Sequence, residues 1–494
     1  MKKSPRLSSR LRAFLRAVSI ASALGLASAF AQTDYSWNNA GTGVSAGTWN
    51  TAGNWSPSGP PPPAGNVVTP TLFGDINVNI SSAQVTNWTY NSTSSQTVFA
   101  NGGVNSTLTI SGTLSKAGSG NLTFRNVTNN NPTLDLSAGS VVVSSGTLFL
   151  GTRNNSGQRL GSFSFGSVDL TGGSMSMEVA GSAAITGALT MSNTPSLYIA
   201  QEVNATRSLS VGSLSSASTT AVIAANDFGA GNKSDASLLL TASSGAPTFA
   251  GVLKNSGGVS TTSSLSLTKG GVGTQVLTGN SNTYSGGTTV NAGTLLVNNA
   301  SGSGLGAGAV SVNGGVLGGT GSFTGAVTVN NTGTLSPGAS IQTLASGTAT
   351  FNGGSTYAYE VDSSVAPAAG ADLLVVTGAL NLNDTVTLTL ANLDLTPDPF
   401  AEGTTFSLIN YNGAWNNGLF TYNSNLLSDG ETFSFNGQSW QIDYNATVGG
   451  VNFITEYLPS SSFVNITTVP EPETWGLLAV AGTFLVVMRR RRTV

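Results

Sequence analysis

Three stretches in the middle of the chain repeat one pattern: VNAGTL at 290–295, VNGGVL at 312–317 and VNNTGTL at 329–335. Each copy reads as a short strand, a corner of Asn and Gly, and a second strand, because Gly supplies the positive φ of a tight turn. One such unit cannot bury its own apolar side, whereas stacked units bury it against each other. The repeat therefore predicts a solenoid of short strands. We expect its corner asparagines to form a hydrogen-bonded ladder.

The rest of the chain shows the same pattern of short strands and turns. Apolar residues alternate over runs of a few residues, and Gly, Asn and Ser interrupt them. The first valines of the three copies, at 290, 312 and 329, stand 22 and 17 residues apart, an uneven period that loops of different length explain. We predict an all-β fold, a right-handed parallel β-helix at least over 265–390. A β-sandwich stays the alternative, because sequence does not separate short parallel strands from antiparallel ones.

Residues 267–290 read LTKGGVGTQVLTGNSNTYSGGTTV. This stretch resembles the autotransporter-associated β-strand repeat, whose pattern is Lys-x-Gly-x-Gly, then Leu-x-Gly-x-Asn-x-Tyr-x-Gly-Gly-Thr, then Gly-x-Leu. The matching positions are Leu277, Gly279, Asn280, Thr283, Tyr284, Gly286, Gly287, Thr288, Gly293 and Leu295. The resemblance implies a β-helical passenger that is exported. We expect Tyr284 to pack as an aromatic cap on the stack, with ligand binding as the alternative.

The C-terminal residues form a sorting pattern. Val469, Pro470, Glu471 and Pro472 precede an uncharged apolar run at 475–488, and Arg489, Arg490, Arg491 and Arg492 follow it. The run is short for a spanning helix, but the arginines can extend it and mark a cytoplasmic stop. The order resembles the PEP-CTERM signal of Gram-negative bacteria. It implies a short C-terminal transmembrane helix, transient anchoring in the inner membrane, and an exosortase-type enzyme as partner.

The N-terminal residues read as a secretory leader. Six basic residues precede an apolar stretch at 18–29, and Ala29 and Ala31 fit the small-x-small cleavage rule, so Gln32 is the expected first mature residue. Without an Arg-Arg pair, the general secretion machinery is the expected partner.

Composition excludes several chemistries. The chain has 494 residues, of which 8% are charged, with no Cys and no His. Disulfides, thiol chemistry, His-based triads and imidazole metal sites are therefore excluded, and we predict no cofactor, no metal site and no catalytic residue. Residues 270–469 carry eleven acids and no Lys or Arg, and the eight basic residues of 32–269 are scattered without a motif. No basic stripe exists for nucleic acid.

Two local features could carry chemistry. Glu360 and Asp362 stand at i and i+2, which places both carboxylates on one side of a strand, as a glycosidase would need; an exposed acidic face opposite Tyr359 and Val361 is the competing interpretation. Four of the seven tryptophans precede residue 89, and they predict an aromatic end cap, with a sugar-stacking surface as the alternative.

These features give one division of the chain: a leader at 1–31, a Trp-rich cap and Pro linker at 32–64, a β-rich passenger at 65–264, the repeat solenoid at 265–390, a terminal β-subdomain at 391–458, a linker at 459–468 and the sorting tail at 469–494. We predict a non-enzymatic structural or adhesive protein of the cell surface or extracellular matrix, with an exopolysaccharide as the implied partner. The alternative function is an extracellular β-helical glycosidase or lyase.

Overall fold

The structure is a computed structural model that describes residues 34–37, 47–49, 54–62, 65–69, 76–78, 81–100, 105–126, 133–151, 158–199, 205–226, 234–256, 263–338, 341–366, 370–452 and 461–470. The regular elements in these ranges are β-strands, numbered here along the chain. None of the described segments is a helix that could cross a membrane. The predicted signal residues that lie outside the described ranges are Ala29, Ala31, Gln32, Glu471, Pro472, the apolar run 475–488 and Arg489 to Arg492.

The strands form four sheets, which wind as three faces along the chain. The first sheet is face 1 and, through strands that bend in the middle, the N-terminal part of face 2: β1 (Asp34–Trp37), β3 (Trp55–Ser56), β4 (Asn66–Thr69), β6 (Ser82–Val85), β7 (Asn87–Tyr90), β9 (Ser106–Lys116), β11 (Leu134–Val143), β13 (Phe163–Leu170), β15 (Ala183–Met191), β17 (Ala205–Ser215), β19 (Ser234–Leu240), β22 (Leu265–Lys269), β24 (Thr288–Val290), β26 (Val310–Val312), β28 (Val327–Val329), β31 (Ala349–Phe351) and β34 (Leu380–Leu382). The second sheet continues face 2: β20 (Thr248–Phe249), β23 (Thr274–Leu277), β25 (Thr294–Val297), β27 (Val316–Gly319), β29 (Thr334–Pro337), β32 (Thr356–Val361), β35 (Val386–Asn392), β37 (Phe420–Tyr422) and β38 (Asn425–Leu426).

The other two sheets build face 3. The third sheet is its N-terminal part: β2 (Gly47–Thr48), β5 (Ile76–Asn77), β8 (Gln96–Ala100), β10 (Leu122–Asn126), β12 (Thr147–Leu150), β14 (Ser174–Met177), β16 (Ser196–Tyr198), β18 (Val222–Asn226) and β21 (Val252–Ser256). The fourth sheet continues face 3 and closes the C-terminal end: β30 (Thr343–Ser346), β33 (Leu373–Val376), β36 (Thr405–Tyr411), β39 (Thr432–Phe435), β40 (Gln438–Ala446) and β41 (Ser462–Val469).

Successive turns pair in parallel and in register. On face 1, Val290 pairs with Val312, which pairs with Val329, so the uneven spacing of the repeat is the length of successive turns. On face 2, Thr274 pairs with Thr294 in the same way. The prediction of an all-β solenoid with long parallel sheets is confirmed, and the β-sandwich alternative is wrong because these ladders are parallel. The right-handed sense of the coil stays a prediction.

The stack continues beyond the predicted solenoid. β19 pairs with β22 across the predicted boundary at 264/265, and β35 contains the boundary at 390/391 and pairs onward with β37. The long strands β9, β11, β13, β15 and β17 of the first sheet bend where one face becomes the next, and register shifts mark the bends. Both predicted boundaries therefore fall inside one continuous stack.

The core follows from the two-residue period of each strand, which sends alternate side chains inward. Strand β32 shows the rule: Tyr357, Tyr359 and Val361 are buried, whereas Thr356 and Glu360 are half-buried and face outward. Because turns stack in register, each inward position continues as an apolar column that neighbouring turns share, which is what a single turn could not provide.

Tryptophans close the N-terminal end. Trp49, Trp55 and Trp88 are buried, with ring centroids 5.0 Å apart for the first two and 6.0 Å apart for Trp49 and Trp88. Buried indoles offer no face to a sugar ring. The predicted proline spacer is wrong as a separate linker, because β1 pairs with β3 before the prolines and with β4 after them. Residues 60–62 therefore lie in a loop inside this end of the stack.

An antiparallel cap closes the C-terminal end. β41 lies between β36 and β40 and is antiparallel to both. The predicted linker at 459–468 is therefore wrong over 462–468, where Phe463, Val464 and Ile466 are buried. The predicted terminal subdomain is joined to face 3, because β36 also pairs in parallel with β33.

Candidate functional site

A ladder of asparagine side chains follows the corner between face 1 and face 2. Each Nδ2 donates to the Oδ1 of the asparagine one turn earlier, at 2.8 to 3.0 Å. The members are Asn291, Asn313, Asn330, Asn352, Asn383 and Asn416. Every inner member both donates and accepts, so the amides are aligned along the stack and can polarise each other. The predicted ladder is confirmed and extends beyond the three copies that suggested it.

Columns of hydroxyl groups flank the ladder on both sides. On face 2 the paired outward positions are Thr274, Thr294, Val316, Thr334, Thr356, Thr387 and Thr421. On face 1 they are Thr268, Thr289, Ser311, Thr328, Thr350 and Asn381. All are half-buried, and strand geometry repeats them about every 4.7–4.9 Å. We call these two columns and the asparagine ladder the Asn–Thr ridge.

The ridge is chemically uniform. Its hydroxyl and amide groups donate and accept hydrogen bonds without net charge, apart from the methyl groups of Val316 and the threonines. Residues 270–469 contain no Lys or Arg, so no cation competes along this part of the stack. Such a surface can make many weak and equivalent hydrogen bonds to an extended partner.

Lys269 connects two successive turns at the corner just before the asparagine ladder begins. Its Nζ donates to the carbonyls of Gly271 in its own turn and Ala292 in the next, the latter at 3.2 Å. The side chain is buried, and burial lowers the pKa of the amine. Gly293 lies against the ammonium with φ +64°, where a Cβ would approach Nζ to 2.7 Å. The Lys and Gly of the repeat pattern are thus parts of one corner.

Lys116 forms the same arrangement at another corner. Its Nζ donates to the carbonyls of Gly118 and of Ser145 in the next turn, the latter at 2.8 Å. Gly146 lies against it with φ +63°. Burial lowers the pKa of Lys116 to about 8. The prediction that the basic residues of 32–269 lie outside any motif is therefore wrong for Lys116. Residues 116–120 read Lys-x-Gly-x-Gly, and this signal was visible in the sequence.

Tyr284 lies inside the stack and not on its end. The ring is fully buried, and its hydroxyl shares a hydrogen bond of 2.6 Å with the hydroxyl of Thr288. Burial raises the pKa of Tyr284 to about 12. The predicted aromatic cap is therefore wrong in location, and the ligand-binding alternative has no exposed ring to support it.

The predicted carboxylate pair is not brought to a cleft. Glu360 is half-buried on the outer side of β32. Asp362 follows the strand, and its Oδ1 accepts the backbone N–H of Ser364 at 2.9 Å, which forms a local turn. Tyr359 and Val361 point inward, as the acidic-face interpretation expects.

Asp372 is a buried carboxyl group that sequence reasoning missed. Its Oδ1 accepts the backbone N–H of Gln342 at 3.0 Å, and its Oδ2 accepts that of Glu360 at 3.1 Å. Burial raises the pKa of Asp372 to about 8, the two hydrogen bonds oppose the rise, and the nearby Glu360 charge adds to it. Asn452 Nδ2 donates to the Asp372 carbonyl at 2.7 Å and to the Tyr359 hydroxyl at 3.1 Å. Asp372 and Asn452 therefore join the last turns of the stack to the C-terminal cap.

Among the residues that the structure describes, two surface cavities are lined without charged residues. A cavity of about 510 Å³ at the C-terminal end of face 2 is lined by Thr385, Thr387, Leu388, Thr389, Leu390, Thr421, Tyr422, Asn423 and Ser424. One of about 220 Å³ is lined by Thr186, Gly187, Ala188, Gly212, Ser213, Thr241, Ala242, Ser243 and Ser244. In the part of the chain that the structure describes, no group of three or more acidic side chains could hold a metal ion.

Comparison with known proteins gives a match over a short part of the chain. A family model described as the passenger-associated transport repeat matches residues 267–297, the span that includes Lys269, Tyr284 and Gly293. No curated protein matches the chain. The match agrees with the resemblance to the autotransporter-associated repeat and indicates a secreted, passenger-type protein that is exported and displayed at the surface.

Proposed function

We propose that this chain is a structural or adhesive protein of the cell surface or extracellular matrix. The Asn–Thr ridge supports the proposal: on one side of a long parallel stack it repeats neutral hydrogen-bonding groups turn after turn. A single such group binds weakly in water, but a row of them raises the effective concentration of each next contact. A rigid scaffold adds to this, because its groups are ordered before binding.

The role needs no enzyme chemistry. The chain has no His or Cys, the described cavities are lined by neutral residues, and the buried acid Asp372 is fully shielded from solvent. We therefore propose binding without turnover. No observation favours the glycosidase or lyase alternative.

We also propose that the C-terminal tail sorts the protein. General secretion would export the chain, the tail would hold it briefly in the inner membrane, and an exosortase-type enzyme would release it. Val469 is the last residue of β41, so the predicted motif begins where the folded cap ends. An enzyme cutting after Val469 would leave the cap complete.

Two measurements test the proposal. Mass spectrometry of the mature C-terminal peptide from fractionated cells should find an end near Pro470 in the surface or matrix fraction. A full-length chain that retains Arg489 to Arg492 in the inner membrane would contradict the sorting route. For the adhesive role, matrix retention of the wild type is compared with that of a Thr294→Ala/Thr334→Ala/Thr356→Ala variant, which removes three ridge hydroxyls. Equal retention would contradict a role for the ridge.

A further inference from the structure

Strand β35 is paired over most of its length on one side but only at its start on the other. β32 pairs with six residues of β35, at 387–392, whereas β37 pairs with only the first two residues of the strand. β37 ends early because Asn423 and Ser424, with φ +46° and +64°, turn the chain back into β38. In the part of the chain that the structure describes, no strand therefore pairs with residues 388–392 on this side, which we call the open edge of β35.

The open edge presents backbone hydrogen-bonding groups. In a parallel pair of strands, the N–H and C=O groups of alternate residues point to opposite sides. The N–H groups of Thr387 and Leu393 both donate to carbonyls on the β32 side, so the residues between them alternate in the same order. The N–H and C=O of Leu390 therefore point to the side that no described strand covers. A row of such groups is a template for another extended chain.

Apolar side chains are also left uncovered at the open edge. Val386 and Leu388 point inward and are buried, but Leu390, the next inward residue, is only half-buried. Beyond the strand, Leu393 is 38% exposed and Leu395 is 97% exposed. A strand added here would cover Leu390 as the next turn covers the inward residues elsewhere in the stack, and the removal of apolar surface from water would favour its binding.

The cavity of about 510 Å³ lies beside the open edge. One wall is β35 at 387–390, and the opposite wall is the turn at 421–424. At about 3.3 Å per residue, the open edge is long enough for about five residues of an extended chain. The lining is rich in hydroxyl groups and uncharged, so the cavity itself favours backbone hydrogen bonds over ionic contacts.

The surroundings of the cavity are acidic. Asp384 is exposed just before β35, and Asp394 follows the strand. Asp362 follows the neighbouring β32, and this turn reaches Asp394, because Ser363 Oγ donates to Asp394 Oδ2 at 3.0 Å. Residues 270–469 contain no Lys or Arg that would neutralise these carboxylates. A chain that pairs with the open edge would therefore gain affinity from cations near its two ends.

We propose that the open edge of β35 binds an extended, basic peptide segment of a partner protein by strand addition. The backbone of the peptide pairs with Leu390 and Asn392, and one of its apolar side chains covers Leu390. Its flanking lysines or arginines meet Asp384 and Asp394. Main-chain hydrogen bonds give such a complex its affinity, and alternate side chains give it specificity. The inference goes beyond the proposed adhesive role and does not use the Asn–Thr ridge.

Fluorescence anisotropy with the purified full chain tests the proposal. The probe is a labelled peptide of about eight residues in which Lys and Val alternate, which covers the open edge and reaches its acidic ends. A fully N-methylated analogue keeps the side chains and charges but has no backbone N–H, and it should bind at least about tenfold more weakly. A peptide of alternating Glu and Val should also bind at least about tenfold more weakly. Hydrogen exchange of residues 388–392 should slow when the Lys/Val peptide is added.

Variants of the chain separate the open edge from general charge attraction. Leu390→Pro removes the N–H that points into the cavity, and Leu390→Lys places a cation at the apolar contact; each should weaken binding of the Lys/Val peptide about tenfold. Asp384→Asn should weaken binding mainly at low salt, and Asn tolerates the φ of +53° at this position. Gln84→Lys adds one positive charge at an exposed position of β6 and is the matched control, with wild-type affinity expected. Unfolding curves must overlay for all variants, and the comparison of peptides needs no variant.

Each competing result has its own signature. Absence of wild-type binding, or equal affinity of the N-methylated analogue, overturns strand addition. Equal affinity of the Glu/Val peptide overturns the choice of a basic partner. A wild-type dimer that the peptide does not dissociate would assign the open edge to a second copy, and tighter binding after Arg489 to Arg492 are replaced by Gln would assign it to the chain's own tail; either result overturns the proposed partner. A chain that binds the peptide but stays inside the cell overturns the proposed function and leaves this inference standing.

Discussion

Replacing Asn330 by alanine should open the stack locally. The change removes the donor to Asn313 Oδ1 and the acceptor of Asn352 Nδ2, both at 2.8 Å. Two hydrogen bonds at about 0.5–1.5 kcal/mol each give about 1–3 kcal/mol. Because these side-chain amides are only half-buried or exposed, water replaces part of the lost hydrogen bonding. We therefore expect the local stability to fall by about 1–2 kcal/mol. Solenoid turns open locally, so hydrogen exchange of residues 327–351 measures the effect more directly than global unfolding.

Asn331 supplies a matched control for that measurement. It is the next residue, it is exposed, and it is not a member of the ladder. Amides of β28 and β31 should exchange about 5–30 times faster in Asn330→Ala, whereas Asn331→Ala should change stability by less than about 0.5 kcal/mol. If both variants exchange alike, the ladder does not stabilise the corner.

Three further outcomes are expected. Burial raises the pKa of Asp372 from 3.8 to about 8, so the folded chain keeps a proton that the unfolded chain releases between these pH values. The contribution of this carboxyl group to stability should be fully present below about pH 4 and be lost as the pH rises towards 8, with a slope of about 1 kcal/mol per pH unit. Urea midpoints at pH 5, 6 and 7 should show this decline in the wild type but not in Asp372→Asn, and an unchanged slope in the variant would contradict the assignment. A Cβ at Gly306 would overlap the Tyr284 carbonyl, so Gly306→Ala should lower the midpoint temperature of thermal unfolding. A variant that unfolds at the same temperature as the wild type would show that the two turns can move apart to accept the methyl group. Lys269→Met keeps the apolar stem but leaves two carbonyls without their donor, which should cost about 1–3 kcal/mol, and exchange at residues 270–294 that matches the wild type would refute this role of Lys269.

The solenoid and its ladder could be predicted because both are local and periodic. The Val-Asn start and Gly-x-Leu end of each copy fix a strand, a corner and a strand, and repetition makes the corner asparagines neighbours. The register between Val290, Val312 and Val329 follows from the same spacing. Nothing beyond one turn of chain is needed for this inference.

The cap and Asp372 could not be predicted because their partners are distant in sequence. Asn452, which bonds the Asp372 carbonyl, lies 80 residues away. Strand β41 is rich in Ser, Thr and Asn and resembles a linker, and its burial arises only between β36 and β40. Lys116 was a different case, since its Lys-x-Gly-x-Gly pattern was present but lacked the downstream Tyr-x-Gly-Gly-Thr that made the second copy recognisable.

Antibody labelling of intact cells shows whether the folded stack is displayed at the cell surface. An epitope inserted between Glu402 and Gly403, in an exposed loop outside the strands, leaves the Asn–Thr ridge unaltered. We expect intact cells to be labelled, and we expect protease treatment of those cells to remove the label. Labelling that requires permeabilised outer membranes, in cells that contain the full amount of protein, would contradict it.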